Sequence, residues 1–177
     1  SEVKKPGGAT GAVDKKLGGA ITKLIKSGEI TGKLGETNLI HTQGKLPATQ
    51  VVVVGLGESA KFELDRARIA AGAALKEAKK IKAKKVATVV HGAGAGMTQA
   101  LVEGSLIGVY HYAGYATIKD ERFFEIEELI VVELEKNKIT ALKSGVRTGE
   151  LIAHSVNNAR DLVNGPANRI TPSYLAA

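Results

Sequence analysis

Val51-Val52-Val53-Val54 runs directly into Gly55-Leu56-Gly57, and Ala60 completes a G-x-G-x-x-A pattern. Glycines at that spacing, between a β-branched strand and a helix, can cradle the pyrophosphate of a dinucleotide. The same fold needs an acid at the tip of the next strand, roughly 20 residues on, to hold a ribose hydroxyl. Position 77 is Glu but falls inside a helical pattern, and the next strand ends in Val90-His91-Gly92 with no acid at its tip. The dinucleotide reading therefore fails, and the glycines read as a tight strand-to-helix bend. A second run, His91-Gly92-Ala93-Gly94-Ala95-Gly96, also lies between a strand and a helix, where backbone amides can form an anion nest. No Lys-Ser/Thr pair follows it, so it is no Walker loop, and a flexible surface loop accounts for it better.

The remaining reactive side chains do not assemble. His41, His91, His111 and His154 show no H-E-x-x-H or H-x-x-x-H spacing, so each reads as a structural residue. Ser59 sits in the G-x-G turn and not in a G-x-S-x-G elbow. Glu125, Glu127 and Glu128 lead into a strand and read as a solvated edge. No catalytic, cofactor-binding or metal-binding residue is assigned on this chain. Six lysines, Lys76, Lys79, Lys80, Lys82, Lys84 and Lys85, cluster at one helix end and the turn after it, and much of the net charge of +7 gathers there. Lysines at a helix C-terminus suit the macrodipole. A nucleic-acid surface would add arginine or aromatic residues for readout and stacking, which this cluster lacks.

The elements that must position these residues follow from periodicity. Leu17, Ile21, Leu24 and Ile25 form a helical stripe ending at Gly28, a C-cap glycine. Strands are expected at Thr37 to Thr42, Val51 to Val54, Val86 to Val90 and Leu129 to Leu134, with a short strand at Lys138 to Leu142 pairing with the last as a hairpin. Helices are expected from Phe62 to Lys80, Thr98 to Tyr112 and Thr148 to Val163. The last carries a stripe of Leu151, Ile152, Ser155, Ala159, Leu162 and Val163 with a clean i, i+3/i+4 period. Alternation of strand and helix predicts an α/β domain with a largely parallel sheet holding Val51–Val54, Val86–Val90 and Leu129–Leu134 together. At 177 residues, 44% hydrophobic and without Trp, the chain suits one aliphatic-cored domain or a tight pair of subdomains. It has no cysteine, no apolar run near the ~20 residues of a membrane helix and no signal peptide, so a cytoplasmic setting is expected. Gly165-Pro166 breaks the last long helix, and Thr171-Pro172-Ser173 looks like an N-cap with Pro at the first helical position. A helix that starts five residues before the last residue suggests a boundary cut out of something longer.

Ala159-Arg160-Asp161-Leu162-Val163-Asn164-Gly165-Pro166-Ala167-Asn168-Arg169-Ile170-Thr171-Pro172 closely resembles the A-R-D-L-x-N-x-P-x-N-x-x-T-P segment of the leucyl (cytosol) aminopeptidase family. Val52 to Gly57 is similar to that family's V-x-V-G-L-G strand and turn, and Arg66 to Ala71 to its R-x-A helix. Leu101-Val102-Glu103-Gly104 with Leu106, Gly108 and Tyr110 resembles its E-G-x-x-L-G-x-Y signature, and Asp14 to Gly28 fits its early helix. Two features depart from the pattern. The family's first strand should precede SEVKKPGG, and the glycine loop at 92 to 96 runs into Met97-Thr98 early.

The resemblance implies an N-terminal domain, residues 1–164, followed by a linker and the start of a catalytic domain at 165–177. It implies a three-layer α/β/α sandwich with a mixed, mostly parallel sheet, similar to macro domains. It also implies a parent that removes N-terminal amino acids from peptides with two divalent metal ions, manganese or zinc, and assembles as a homo-hexamer. The chain's partner is then the catalytic domain of the same polypeptide, which carries the metal ligands. Two other implied functions are a macro-like module holding nucleotide or ADP-ribose through the two glycine loops, and nucleic-acid binding through the lysines.

Overall fold

The computed structural model describes residues 6–112, 114 and 124–176; the opening SEVKK lies outside the described residues. Two short helices open the chain, α1 (Gly8–Lys16) and α2 (Ala20–Lys26). Leu17 falls in the turn between them, because Gly18 and Gly19 take left-handed conformations that interrupt the expected single helix. The break leaves the first amides of α2 without partners, and Gly19 at the N-cap has no side chain to supply one. Asp14 supplies it from α1: its buried carboxylate accepts from the Ile21 and Thr22 amides at 2.8 and 3.1 Å and from the Thr22 hydroxyl at 2.5 Å. Those bonds, the Thr22 hydroxyl first, hold its carboxyl below the usual aspartate range against the opposing effect of burial. Gly28 follows the C-cap Ser27 with φ of 80°, the helix stop expected from the sequence.

A hairpin comes next. β1 (Thr37–His41) and β2 (Gln50–Val54) pair antiparallel, with Ile40 opposite Val51 and Asn38 opposite Val53. Ile40 and Val53 share one face, and both pack into a cluster with Leu17 and Ile21 from the α1–α2 pair. After a 3-10 turn at Ser59–Lys61, α3 (Leu64–Lys80) leads to β3 (Lys85–Val89), which pairs in parallel with β4 (Glu128–Val132). α4 (Ala95–Gly108) connects those two strands. Alternating strands and helices with a parallel crossover bear out the α/β class.

The single sheet expected to hold all three long strands does not form. Among the described residues the strands make two two-stranded sheets, β1–β2 and β3–β4, and no ladder joins β2 to β3. The valine run Val51–Val54 is accordingly only half-buried. Continuous β-branching requires two covered faces, but it cannot specify which strand occupies each edge.

The region after β4 corrects two further expectations. Lys138 to Leu142 is no strand; a 3-10 turn at Lys136–Lys138 runs into α5 (Ile139–Asn164), 26 residues long. Ile139, Leu142 and Val146 repeat at helical spacing, and the helix runs through Ser144-Gly145 without a break. The apolar stripe of this helix faces outward: Leu151 is 68% exposed and Val163 85%. α5 buries Gly145, Gly149 and Ala153 instead. Short α6 (Pro172–Ala176) ends the described chain, and the Thr171 hydroxyl accepts from the Tyr174 amide as its cap.

Candidate functional site

Both sequence loops proposed for phosphate find other uses. The Gly55 amide donates to Glu36 at 2.8 Å and the Gly57 amide to Gly32 at 2.9 Å, so two amides of the G-x-G turn are already occupied. A Cβ at Gly55 would collide with the backbone of Gly32 and Lys33, which explains the glycine. α3 begins seven residues past Gly57, so its N-terminal dipole does not sit over the turn. In the second loop Met97 packs against Gly92, and Gly94 opens α4 without a side-chain cap. Of the six clustered lysines, Lys80 pairs with Glu77, Lys84 with Glu127 and Lys85 with Glu128, each at 2.8 Å, and Lys79 donates to the Val109 carbonyl. Exposed pairs of this kind contribute at most about 1 kcal/mol, but they neutralise much of the cluster.

The four histidines are scattered. His41, His111 and His154 are exposed, while His91 is half-buried. No group of three or more His, Cys, Asp or Glu side chains able to hold a metal occurs among the described residues.

The residues that do converge sit where three helices cross. α4 lies between α3 and α5 and is buried over a continuous stretch, Ala100 through Ser105. Helices approach this closely only where side chains are absent. A Cβ at Gly104 would strike the Arg68 carbonyl on α3, and one at Gly108 would stand 2.6 Å from the Gly72 Cα. On the other side, a Cβ at Gly149 of α5 would stand 2.8 Å from Val102 Cβ, and one at Gly145 would strike the Ala95 carbonyl. Gly104 and Gly108 are spaced four apart on α4, as Gly145 and Gly149 are on α5. That spacing puts each pair on one helix face, where small residues let backbones close in.

Two polar locks fix this crossing. At one end, Arg68 Nε donates to the buried Glu103 carboxylate, whose second oxygen accepts from Gln99 at 2.6 Å; Arg68 also reaches Asp65 at 2.7 Å. Glu103 raises the Arg68 pKa further above its ordinary value, mainly through the hydrogen bond. At the other end, the Tyr110 hydroxyl donates to Asp161 at 2.7 Å, and the Arg160 guanidinium lies 5.3 Å over the Tyr110 ring. Arg160 donates to the Ile107 carbonyl at 3.1 Å and Asn157 to the Leu106 carbonyl at 3.4 Å, capping the half-buried C-terminus of α4.

A model described as the cytosol aminopeptidase family, N-terminal domain, matches residues 1–119, two-thirds of the sequence. The chain belongs to that family. A probable cytosol aminopeptidase of Alkaliphilus metalliredigens (strain QYMF) is 35% identical over 181 residues, covering 99% of this chain and 36% of the relative. One from Geobacter sp. (strain M21) is 37% identical over 165 residues, covering 92% and 33%. The chain thus spans about a third of the length of the curated relatives it matches. Its fold is similar to that of a mutant tomato leucine aminopeptidase, with a TM-score of 0.75, 23% identity and coverage of 99% and 35%. It is also similar to the bottromycin maturation enzyme BotP in complex with Mn, with a TM-score of 0.69, 24% identity and coverage of 97% and 33%.

Within this aminopeptidase-family chain the resembled motifs meet in space. Glu103, Gly104, Gly108 and Tyr110 come from one motif, Arg68 from a second, and Arg160 and Asp161 from a third. Sequence reading quoted all three but missed Gly72, Gly145 and Gly149. The signal for Gly145 and Gly149 was their four-residue spacing, which is visible once crossing helices are sought; Gly72 stands alone on α3 and carried no such signal.

Beside the lock lies a small apolar groove of about 40 Å³, lined by Val54, Leu56, Thr88 and His91 among others. Alanines of α3 and Leu101 and Ser105 of α4 line it too, and the buried Ser105 Oγ has no hydrogen-bond partner among the described residues. Burial holds the His91 imidazole below its ordinary value of 6.5, so it is neutral at pH 7. The unfolded chain then takes up a proton near that value before the folded one does, and stability falls as pH drops below it. Thermal melts at pH 7.5 and 5.5 should show this loss, and His91→Asn should flatten it. Asp14 and Glu36, both shifted downward, respond only at lower pH and leave that window clear. An unchanged slope in the variant would assign the effect elsewhere.

Proposed function

We propose that residues 1–177 act as the architectural, non-catalytic N-terminal domain of a leucyl aminopeptidase. The observation carrying this reading is the use to which the family motifs are put. Glu103, Arg68, Tyr110, Asp161 and the crossing glycines are all consumed in joining α3, α4 and α5. The parent would release N-terminal residues from peptides in the cytoplasm, as a homo-hexamer, using two divalent ions, manganese or zinc. The residues described here do not fit such a metal centre, so no step of that reaction is assigned to them. Its ligands would come from the catalytic domain of the same polypeptide, beginning in the linker at 165–177.

The three-layer, macro-like arrangement belongs to this proposal. α1 and α2 cover one face of the β1–β2 hairpin, and α3 packs against the same hairpin. The occupied amides of the G-x-G turn and the paired lysines count against the nucleotide, ADP-ribose and nucleic-acid readings.

The outward apolar face of α5, with Leu151, Leu162 and Val163, and Tyr174 and Leu175 on α6, suits docking onto the remainder of the parent. Leu151→Asp with Val163→Asp should change the stability of residues 1–177 by no more than about 0.5 kcal/mol. The same pair should destabilise the full parent, read by thermal melting. Equal effects in both proteins would refute the docking face.

The function is tested with the purified domain and a leucine anilide in excess manganese or zinc. No hydrolysis is expected, and calorimetry should find no tight metal binding. Metal-dependent turnover that scaled with domain concentration and survived repurification would overturn the proposal.

A further inference from the structure

We infer that Asn164 is a site of spontaneous deamidation, held closed by the corner where α5 meets the linker and exposed to reaction when that corner loosens. Asn164-Gly165 is the one asparagine–glycine pair in the sequence. Such a pair cyclises readily, because no Cβ hinders the approach of the glycine nitrogen to the asparagine side chain. Asn164 is solvent-exposed and Gly165 half-buried. The glycine is demanded by packing. A Cβ at Gly165 would strike the Ile170 side chain and stand 3.3 Å from the Asp161 carbonyl oxygen. Ile170 is held there by a turn in which the Arg169 and Ile170 amides both donate to the Pro166 carbonyl, at 2.8 and 3.0 Å. Close packing of the linker thus places the reactive pair at the junction.

The reaction is a displacement with no change of oxidation state. The Gly165 nitrogen gives its proton to solvent and bonds to Asn164 Cγ; the Cγ–Nδ2 bond breaks, and Nδ2 takes up a proton and leaves as ammonia. Water then opens the five-membered imide at either carbonyl, leaving aspartate or an isoaspartate whose backbone runs through Cβ. Two hydrogen bonds oppose the first step. The Gly165 amide donates to the Asp161 carbonyl at 2.9 Å, which keeps the attacking nitrogen in helical geometry. Asn164 Nδ2 donates to the Tyr110 hydroxyl at 3.3 Å, which holds the side-chain amide away. The product alters the same contacts. A carboxylate at 164 replaces that donor with a charge that repels Asp161, which accepts from the Tyr110 hydroxyl at 2.7 Å. It also lies at the C-terminus of α5, where the helix dipole disfavours negative charge. Deamidation therefore loosens the Tyr110 end of the α4–α5 crossing.

Trypsin cuts after Arg160 and Arg169, and fragmentation spectra of the released stretch locate any amide-to-acid mass gain. In a synthetic peptide of residues 159–170 in mildly alkaline buffer, the gain should appear at Asn164. In folded residues 1–177, and in the full parent, it should be slower by on the order of tenfold or more, since only molecules with an open corner react. Ile170→Ala should return the folded rate several-fold toward that of the peptide, and Tyr110→Phe should do the same if the first variant does not fold. Asn164→Asp, which installs the product, should lower the melting midpoint by about 2–4 °C. A peptide that stays intact at Asn164 would overturn the site. Equal rates in peptide and folded chain, or folded variants no faster than the unaltered protein, would overturn its closure by the corner.

Discussion

Gly104→Val is expected to cost about 3 kcal/mol or more, a large share of the roughly 5–15 kcal/mol that holds a domain of this size folded. The added Cβ meets the Arg68 carbonyl, with the Arg68 Cα also only 2.6 Å away. Both atoms are backbone within a 17-residue helix, so no rotamer change can give way. α3 and α4 would have to part, and the Arg68–Glu103 pair would part with them. Gly108→Val should act in the same direction through the Gly72 Cα. Gly7 provides the contrast, since a Cβ there meets nothing within 4 Å and its φ of −113° suits any residue. Urea titration of Gly104→Val, Gly108→Val and Gly7→Ala would rank them. A midpoint for Gly104→Val matching that of the unaltered chain would show that the helices do not cross at this residue.

Arg68→Met should cost about 3–5 kcal/mol, because it strands a carboxylate in the interior. Glu103 is 4% exposed, and without the guanidinium only Gln99 would remain to satisfy it. The companion Glu103→Leu should cost less, since Arg68 is partly exposed and keeps Asp65 as a partner. Replacing both residues with apolar ones should recover most of the loss, because two well-packed apolar side chains need no desolvation. The double-mutant cycle thus measures the coupling between the family's R-x-A helix and its E-G-x-x-L-G-x-Y helix. Additive single losses would mean that the pair is coupled weakly and that the glycine contacts alone hold the crossing.

Both expectations concern residues whose role is invisible one helix at a time. Glu103 on its own helix is an acid in an apolar stretch, and only Arg68, 35 residues earlier, explains it. Tyr110 and Asp161 are 51 residues apart. Their families of neighbours in sequence were recognisable by resemblance, whereas the physical bond between them required the fold. The outward face of α5 has the same origin. A stripe of Leu151, Ile152, Leu162 and Val163 has the period of a buried helix face, yet the helix turns its glycines inward and leaves that stripe exposed. Periodicity reports that a face wants to be covered. It does not report by what.

The sequence by itself determined the class, most elements and their stops. β-branched runs placed β2, β3 and β4, apolar spacing placed α3 and α4, and Gly28, Gly165-Pro166 and Thr171-Pro172 marked helix ends. These are local effects, set by steric and hydrogen-bonding preferences within a few residues. The tertiary structure alone decided that β2 and β3 do not pair, that Asp14 caps a helix it does not belong to, and that glycines on α4 and α5 mark crossings. Each of those outcomes depends on which surfaces meet after the chain has folded back on itself. A backbone contact across 36 residues, such as Gly104 on Arg68, leaves no apolar periodicity that names its partner, because what the contact selects for is the absence of a side chain.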